Sequence, residues 1–303
     1  MPTANVSTTN PASIELEYET FGSPDDPALL LIMGFTAQLT AWDEAFCKQL
    51  ADRSRHVIRF DNRDCGLSTK LDGVEVDLGA AMAAAAVGGP LPAVPYTLSD
   101  MANDAIGLLD HLGVDHAHVV GASMGGMIAQ TVAIEHRLRV DSLTSIMSQP
   151  GDLSVGQPTP EAVAALMTPP PFEREAYIES SSRWATWASK KHVDLDAIRR
   201  RAARDYDRSF YPEGAARQLA AIYASGDRST ALQTLDVPTL VIHGLDDTLI
   251  TPSGGQRTAE LIPRAELLLL DDMGHDFPPP LWPDIIDAIV DHTVSAGAAG
   301  VPG

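Results

Sequence analysis

The chain of 303 residues is long enough for one large domain, or for a domain that carries a sizeable insertion. Its composition, 45% hydrophobic but without a run of about 18 apolar residues, is typical of a globular protein and predicts no transmembrane helix. The formal net charge of −20 disfavours nucleic acids and anionic membrane surfaces as partners.

The cysteines and the N-terminal residues indicate in which cellular compartment the protein works. Cys47 and Cys65 lie far apart and form no C-x-x-C pair, so neither a disulfide framework nor a zinc site is indicated. Residues 1–10 are polar and lack the basic start and apolar stretch of a secretory signal. We therefore expect a cytoplasmic protein. The sequence leaves open whether it works as a monomer or as a homo-oligomer.

Predicted strands alternate with predicted helices along the first half of the chain. Residues 28–32 form a continuous apolar run, typical of a strand that is buried on both faces. Thr97 and Asp100 match the capping box that begins a helix. The alanine-rich segment 79–89 predicts a mobile loop or a loose helix. The elements expected up to this point are strands at 14–21, 28–32 and 56–60, and helices at 42–50 and 98–112.

The chain then reaches a G-x-S-x-G pattern centred on Ser123. Residues 118–120 predict the end of a buried strand, and apolar side chains recur at helical spacing from Met127 onwards. A serine between a strand and a helix, with a glycine two residues to either side, is the context of a nucleophile elbow. The pattern alone occurs by chance about once in ten chains of this length. Its interpretation therefore depends on what the rest of the chain supplies.

A long interruption follows the strand predicted at 142–147. About 90 residues separate it from the next apolar run, at 239–243, far more than a normal connection between elements. Helical patterns within this segment predict an inserted helical cap, so we divide the chain into a core, 1–147 with 231–303, and a cap, 148–230. The cap helices are expected near 172–191, 195–209 and 213–225. The core then continues with a helix at 253–261, a strand at 265–270, a helix at 281–292 and a frayed tail at 295–303.

Strands that alternate with helices predict a mostly parallel sheet covered by helices on both faces. In such a sheet the loops beyond the carboxyl ends of the strands meet at one edge. The residues just past the predicted strands include a hydroxyl, two adjacent carboxylates and an imidazole: Ser123, Asp246 and Asp247, and His275. A serine nucleophile needs a base to take its proton, and the base needs a carboxylate to fix its tautomer.

The order Ser123, Asp247, His275 and the motifs around these residues resemble the α/β-hydrolases. Residues 33–36 are similar to the oxyanion loop of that family, although Met33 stands where many members have histidine. Residues 61–68 are similar to its D-x-R-G-x-G-x-S loop, with Asp64 in place of the first glycine. The H-G-x-D-D and G-H-D segments at 243–247 and 274–276 are similar to the acid and histidine loops. The resemblance spans about residues 14–292 and is closest to capped actinobacterial carboxylesterases of the aclacinomycin methylesterase type.

This resemblance implies an α/β-hydrolase fold with an inserted cap and a serine hydrolase that cleaves small to medium, uncharged carboxylic esters. Ser123 would attack the ester, His275 would act as the base and Asp247, the second aspartate of its pair, would orient the imidazole. The backbone N–H groups of Phe35 and Met124 would stabilise the oxyanion. No cofactor and no metal is expected. Carbon–carbon bond hydrolases, perhydrolases and amidases share the triad, and a ligand-binding receptor with a vestigial triad also stays open.

Other polar and aromatic residues are predicted to be structural. His243 ends a strand, and Arg63 is expected to pair with Asp61 or Asp64. Trp184 and Trp187 are expected in the core of the cap. The arginines at 199, 200, 201 and 204 are expected to form a solvated helix face.

Overall fold

A mostly parallel sheet forms the middle of the protein. The computed structural model describes residues 2–7, 13–89 and 92–299, and within these ranges eight strands form one sheet. The strands are β1 (Thr3–Ser7), β2 (Ser13–Phe21), β3 (Ala28–Ile32), β4 (His56–Phe60), β5 (Ala117–Ala122), β6 (Val140–Ile146), β7 (Thr239–Gly244) and β8 (Glu266–Leu270). Their order across the sheet is β1-β2-β4-β3-β5-β6-β7-β8. The pairs β1–β2 and β2–β4 are antiparallel and the others are parallel.

Helices cover both faces of this sheet, as the alternation of predicted elements indicated. In chain order they are α1 (Glu44–Ala51), α2 (Leu78–Val87), α3 (Leu98–His111), α4 (Met124–Glu135), α5 (Pro160–Met167), α6 (Arg174–Ser180), α7 (Leu195–Ser209), α8 (Gly214–Ser225), α9 (Ser229–Leu232), α10 (Ser253–Leu261) and α11 (Trp282–Ala299). None of the helices in the described ranges is long and apolar enough to cross a membrane.

The core consists of two hydrophobic clusters, one on each face of the sheet. Along β3 the side chains alternate between them: Leu30 and Ile32 lie in the cluster with α3 and α4, whereas Leu29 and Leu31 lie in the cluster with α1 and α11. Successive side chains of a strand point to opposite faces, so a strand in the middle of such a sheet needs an uninterrupted apolar run. The prediction that 28–32 is buried on both faces is confirmed.

Five helices, α5 to α9, lie between β6 and β7; we refer to residues 148–230, which contain α5 to α8 and the start of α9, as the insert. Helices α7 and α8 match the predicted patterns, but α5 was not predicted. Pro160 is the first residue of α5, a position where a missing N–H costs nothing, and Thr159 caps the helix. The helix predicted at 172–191 is shorter, because α6 ends at Ser180 and a 3₁₀ segment, Ser181–Thr186, follows.

Three further elements were missed, left open or wrongly predicted from the sequence. Strand β1 was missed because it is short, polar and at the edge of the sheet, where only one neighbour holds it. Of the two alternatives for the alanine-rich segment, the structure has the helix: Asp77 is the N-cap of α2, and Gly88 is in the left-handed conformation after its last turn. The frayed tail predicted from residue 295 is wrong as far as residue 299, because alanine favours continuation of α11. Residues 300–303 lie outside the described ranges.

Candidate active site

The backbone around Ser123 presents its hydroxyl at the start of a helix. Ser123 stands between the end of β5 and the start of α4, with φ of 59° and ψ of −123°, a conformation that is strained for a residue with a side chain. A Cβ at Gly121 would overlap the carbonyl of Gly125, and a Cβ at Gly125 would overlap the carbonyl of Ile32. Glycine is therefore needed at both positions, because strand and helix pass too closely for any side chain.

Ser123, His275 and Asp247 form one hydrogen-bonded line. The Nε2 atom of His275 lies 2.9 Å from the Oγ of Ser123, and its Nδ1 lies 2.7 Å from Oδ2 of Asp247. An ionised carboxylate can only accept, so Nδ1 carries the imidazole proton and Nε2 is free to accept from the serine hydroxyl. The structure thus brings together the three residues that the sequence predicted, although they are spread over more than half of the chain.

The Asp247 carboxylate is buried and accepts several hydrogen bonds. Its Oδ1 accepts from the N–H groups of Leu249 and Ile250, at 2.8 and 2.9 Å. Burial alone would raise the pKa of Asp247. The charge and hydrogen bonds of His275 and His243 have the larger effect and lower the pKa to about 2. This carboxylate is therefore ionised at neutral pH and favours a positively charged partner on its Oδ2 side.

The adjacent aspartate, Asp246, contacts the insert instead of the imidazole. Asp246 points to the insert, where its Oδ1 lies 2.9 Å from Lys190 Nζ and its Oδ2 accepts from the N–H of Lys190 at 3.1 Å. Burial acts to raise the pKa of Asp246, but the hydrogen bonds and charge of Lys190 prevail, and the pKa is lowered. Of the two candidate carboxylates, only Asp247 contacts the imidazole.

The insert also supports the histidine loop. The backbone N–H of His275 donates to the carbonyl of Trp187 at 2.6 Å. The side chain of Asp276 accepts from the N–H of Ser189 at 3.0 Å and from that of Gly274 at 3.2 Å, while burial raises its pKa. The contacts of His275 with Trp187 and of Asp276 with Ser189 join residues more than 80 positions apart in the chain, and no local pattern in the sequence could have indicated them.

The predicted oxyanion loop passes directly beside Ser123. A Cβ at Gly34 would lie 2.9 Å from the Cβ of Ser123 and 3.4 Å from its Oγ, so the loop backbone touches the serine. Phe35 follows as a half-buried residue, and Met124 is the first residue of α4. The first N–H groups of a helix have no acceptor within it, so the N–H of Met124 is suited to bind an anion.

The polar loop at 61–68 is held by ion pairs, but not by the predicted ones. Arg63 was expected to pair with Asp61 or Asp64; instead it pairs with a buried aspartate of α3, and the loop aspartates pair with arginines of the insert. Neighbouring side chains in a loop point in different directions, so partners close in sequence could not meet. The observed pairs are Arg63–Asp104, Asp61–Arg208 and Asp64–Arg217, at 2.6, 2.7 and 2.8 Å.

The other residues singled out in the sequence lie beside the acid loop or in the insert. His243 is buried beneath the acid loop, with its Nε2 2.8 Å from the carbonyl of Ile250 and 3.4 Å from Oδ2 of Asp247. Trp184 and Trp187 were expected in the core of the cap, but both are only half-buried; Trp184 packs against the ring of Tyr177 in the insert. The arginine side chains at 199, 200, 201 and 204 are 36–70% exposed. No group of three or more histidine, cysteine or acidic side chains in the described ranges is arranged to hold a metal ion.

Comparison with known proteins shows the family. The model of the alpha/beta hydrolase fold matches residues 27–278, and the chain therefore belongs to that family. The predicted resemblance to actinobacterial methylesterases is also confirmed. A rhodomycin D methylesterase of Streptomyces sp. strain C5 is 27% identical over 93% of this chain and 96% of its own length.

Two more relatives support the same conclusion. The 3-oxoadipate enol-lactonase 2 of Acinetobacter baylyi is 27% identical over 85% of each chain. The solved structure of a thermophilic esterase from Thermogutta terrifontis covers 98% of this chain and 99% of its own, with a TM-score of 0.72 and 25% identity. The expected α/β-hydrolase fold is thus confirmed.

Proposed function

We propose that this protein is a carboxylesterase that hydrolyses esters through an acyl-enzyme on Ser123. The observation that carries the proposal is the hydrogen-bonded line from the Ser123 hydroxyl through the imidazole of His275 to the buried carboxylate of Asp247. A serine hydroxyl is a weak nucleophile by itself, and this arrangement removes its proton as it attacks. That the named relatives include a methylesterase and an enol-lactonase supports the same reaction class, since a lactone is a cyclic ester.

In the proposed mechanism, Nε2 of His275 takes the Ser123 proton as Oγ bonds to the ester carbonyl. The N–H groups of Phe35 and Met124 donate to the resulting oxyanion. The imidazolium, stabilised by Asp247, then gives its proton to the leaving alcohol. A water molecule, activated by the same imidazole, hydrolyses the acyl-enzyme and restores the free serine.

The proposed substrate is a small to medium, uncharged ester. The charged groups next to the triad are already engaged: Asp246 pairs with Lys190, and Asp276 accepts two backbone N–H groups. A charged acyl group would have to compete with these partners, whereas an uncharged ester displaces none of them.

We further propose that the insert, residues 148–230, is a cap over the site and that the protein acts in the cytoplasm. Two contacts support the cap: the segment 187–190 binds the histidine and acid loops, and Gly214 of α8 lies against the carbonyl of Asp64. Both cysteines are free and buried, which fits a reducing compartment.

A substrate panel tests the activity. It contains p-nitrophenyl esters from acetate to octanoate, a methyl ester, a lactone and the amide that matches the acetate. We expect turnover of the esters, and a loss of at least about 10⁴-fold in Ser123→Ala with an unchanged melting temperature. Ser142→Ala, a buried serine near the start of β6, is the control and should retain full activity. Preferred cleavage of the amide or equal activity of Ser123→Ala would contradict the proposal.

A further inference from the structure

We propose that Gln218, a residue of α8 in the insert, is a positioning residue for the oxyanion loop; this inference rests on the proposed function. Gln218 is completely buried, and both ends of its side-chain amide are used. Its Oε1 accepts from the backbone N–H of Thr36 at 2.8 Å, and its Nε2 donates to the carbonyl of Arg63 at 2.8 Å. Thr36 directly follows Phe35, whose N–H is a proposed oxyanion donor.

The oxyanion loop forms a turn that its sequence does not favour. The N–H of Ala37 donates to the carbonyl of Gly34 at 3.3 Å, which closes a four-residue turn with Thr36 in the third position. Thr36 has a φ of 54°, in the left-handed region. A positive φ at the third position is the type II arrangement, which normally requires glycine, and threonine is β-branched and strained there.

Without a partner, such a turn can relax. In the type I arrangement the third residue has a negative φ that threonine adopts freely, and the peptide between the second and third residues is rotated by about 180°. That rotation would turn the N–H of Thr36 away from Gln218 and leave a buried amide oxygen without a donor. Because burying an unpaired polar group is costly, Gln218 opposes the relaxation. The peptide between Phe35 and Thr36 is thereby held in one orientation, next to the peptide whose N–H, that of Phe35, is a proposed oxyanion donor.

The position of Gln218 is itself well fixed. One residue before it, Arg217 forms a buried ion pair with Asp64, and one turn earlier Gly214 lies against the backbone of the same loop. The helix that carries Gln218 is therefore fixed to residues 61–68. The hydrogen bond from Thr36 to Gln218 in turn fixes the oxyanion loop relative to that helix. The insert would then contribute to the rate of reaction as well as covering the site.

The test compares Gln218→Met with Gln130→Met. Methionine has a similar length and shape but cannot hydrogen-bond to Thr36 or Arg63. Gln130 is the matched control, because it is equally buried and uses both ends of its amide, but its partners are Arg228 and Ser145. We expect Gln218→Met to lower kcat by about 10- to 100-fold with little change in KM, because small displacements of catalytic donors have effects of this size. Gln130→Met should leave kcat nearly unchanged.

A substrate with sulfur in place of the carbonyl oxygen separates positioning from general damage. Sulfur is larger and a poorer acceptor, so donors placed for an oxygen anion contribute less to its hydrolysis. Gln218→Met should therefore slow the ester more than its thiono analogue, and the ratio of their kcat/KM values should fall several-fold. An equal loss for both substrates would overturn the inference.

Two further measurements keep the inference falsifiable. Amide hydrogen exchange in the peptide spanning residues 33–39 should be faster in Gln218→Met than in the wild type and unchanged in Gln130→Met, whether or not the protein hydrolyses esters. Thr36→Gly should partly restore the kcat of Gln218→Met, because glycine adopts a positive φ without strain. Unchanged exchange, or no recovery in the double variant, would refute the role of Gln218. A wild type that turns over no ester but shows the expected exchange would refute only the proposed function.

Discussion

Replacing Asp247 by asparagine should lower turnover about 10⁴-fold, whereas the same change at Asp246 should leave it nearly intact. The Asp247 carboxylate is surrounded by donors: Nδ1 of His275 on one oxygen, and the N–H groups of Leu249 and Ile250 on the other. An asparagine side chain has one accepting oxygen and one donating nitrogen. In either orientation, one side of the amide places a donor against a donor.

The magnitude follows from the imidazole tautomer. If the asparagine N–H faces His275, the ring moves its proton to Nε2, which then cannot accept the proton of Ser123. The equivalent change in serine proteases costs about 10⁴ in turnover, which corresponds to about 5 kcal/mol at about 1.4 kcal/mol for each factor of ten. At Asp246 the amide loses only its ion pair with Lys190, whose side chain is 72% exposed. An exposed pair contributes about 0–1 kcal/mol to stability and nothing to the proton transfer.

The assay is kcat and KM on p-nitrophenyl acetate, with circular dichroism to show that both variants are folded. Asp247→Asn should lose kcat with little change in KM, and Asp246→Asn should stay within about threefold of the wild type. A larger loss of kcat in Asp246→Asn than in Asp247→Asn would show that Asp246 is the residue that orients the imidazole. If neither variant lost activity, the acid would lie elsewhere and the proposed mechanism would need a different residue.

Three other predictions test different parts of the structure. The acid side of the pH profile of turnover should show no limb from Asp247, because its pKa is lowered to about 2 and the carboxylate stays ionised above that pH; a limb at the ordinary aspartate pKa of about 3.9 would contradict this. Gly34→Ala should lower kcat about 100-fold, because the new carbon would lie 2.9 Å from the Cβ of Ser123. Gly79→Ala, whose new carbon would have no contact under 3.6 Å, is the control, and equal kcat values in the two variants would refute the close approach. Arg217→Met should cost about 3–5 kcal/mol in chemical unfolding, because a buried carboxylate loses its ion pair; a loss under about 1 kcal/mol would show that the pair is not buried in solution.

The sequence was informative wherever the structural requirement is local. The elbow at Ser123 needs glycine at two fixed positions, and the buried strand β3 needs an apolar run, so both could be predicted from adjacent residues. The position of His275 was predicted from the sheet topology, because loops after parallel strands meet at one edge of the sheet. The capping box at Thr97 and Asp100 is present as predicted.

The features that could not be predicted depend on contacts between distant segments. The partner of Asp64 is Arg217, 153 residues further along the chain, and that of Thr36 is Gln218, 182 residues away. Strand β1 forms because it adds to the edge of β2, although its own residues show little preference for a strand. Tertiary contacts of this kind decide the structure when local signals are weak.

Reaction with a fluorophosphonate most directly tests the central claim, that Ser123 is an activated nucleophile. Intact-protein mass spectrometry followed by peptide mapping should show one phosphonyl adduct, on Ser123, in the wild-type protein. The adduct should be absent in Ser123→Ala and should form far more slowly in Asp247→Asn, whose imidazole can no longer take the serine proton. A folded wild-type protein that forms no adduct, or forms it on another residue, would contradict the account.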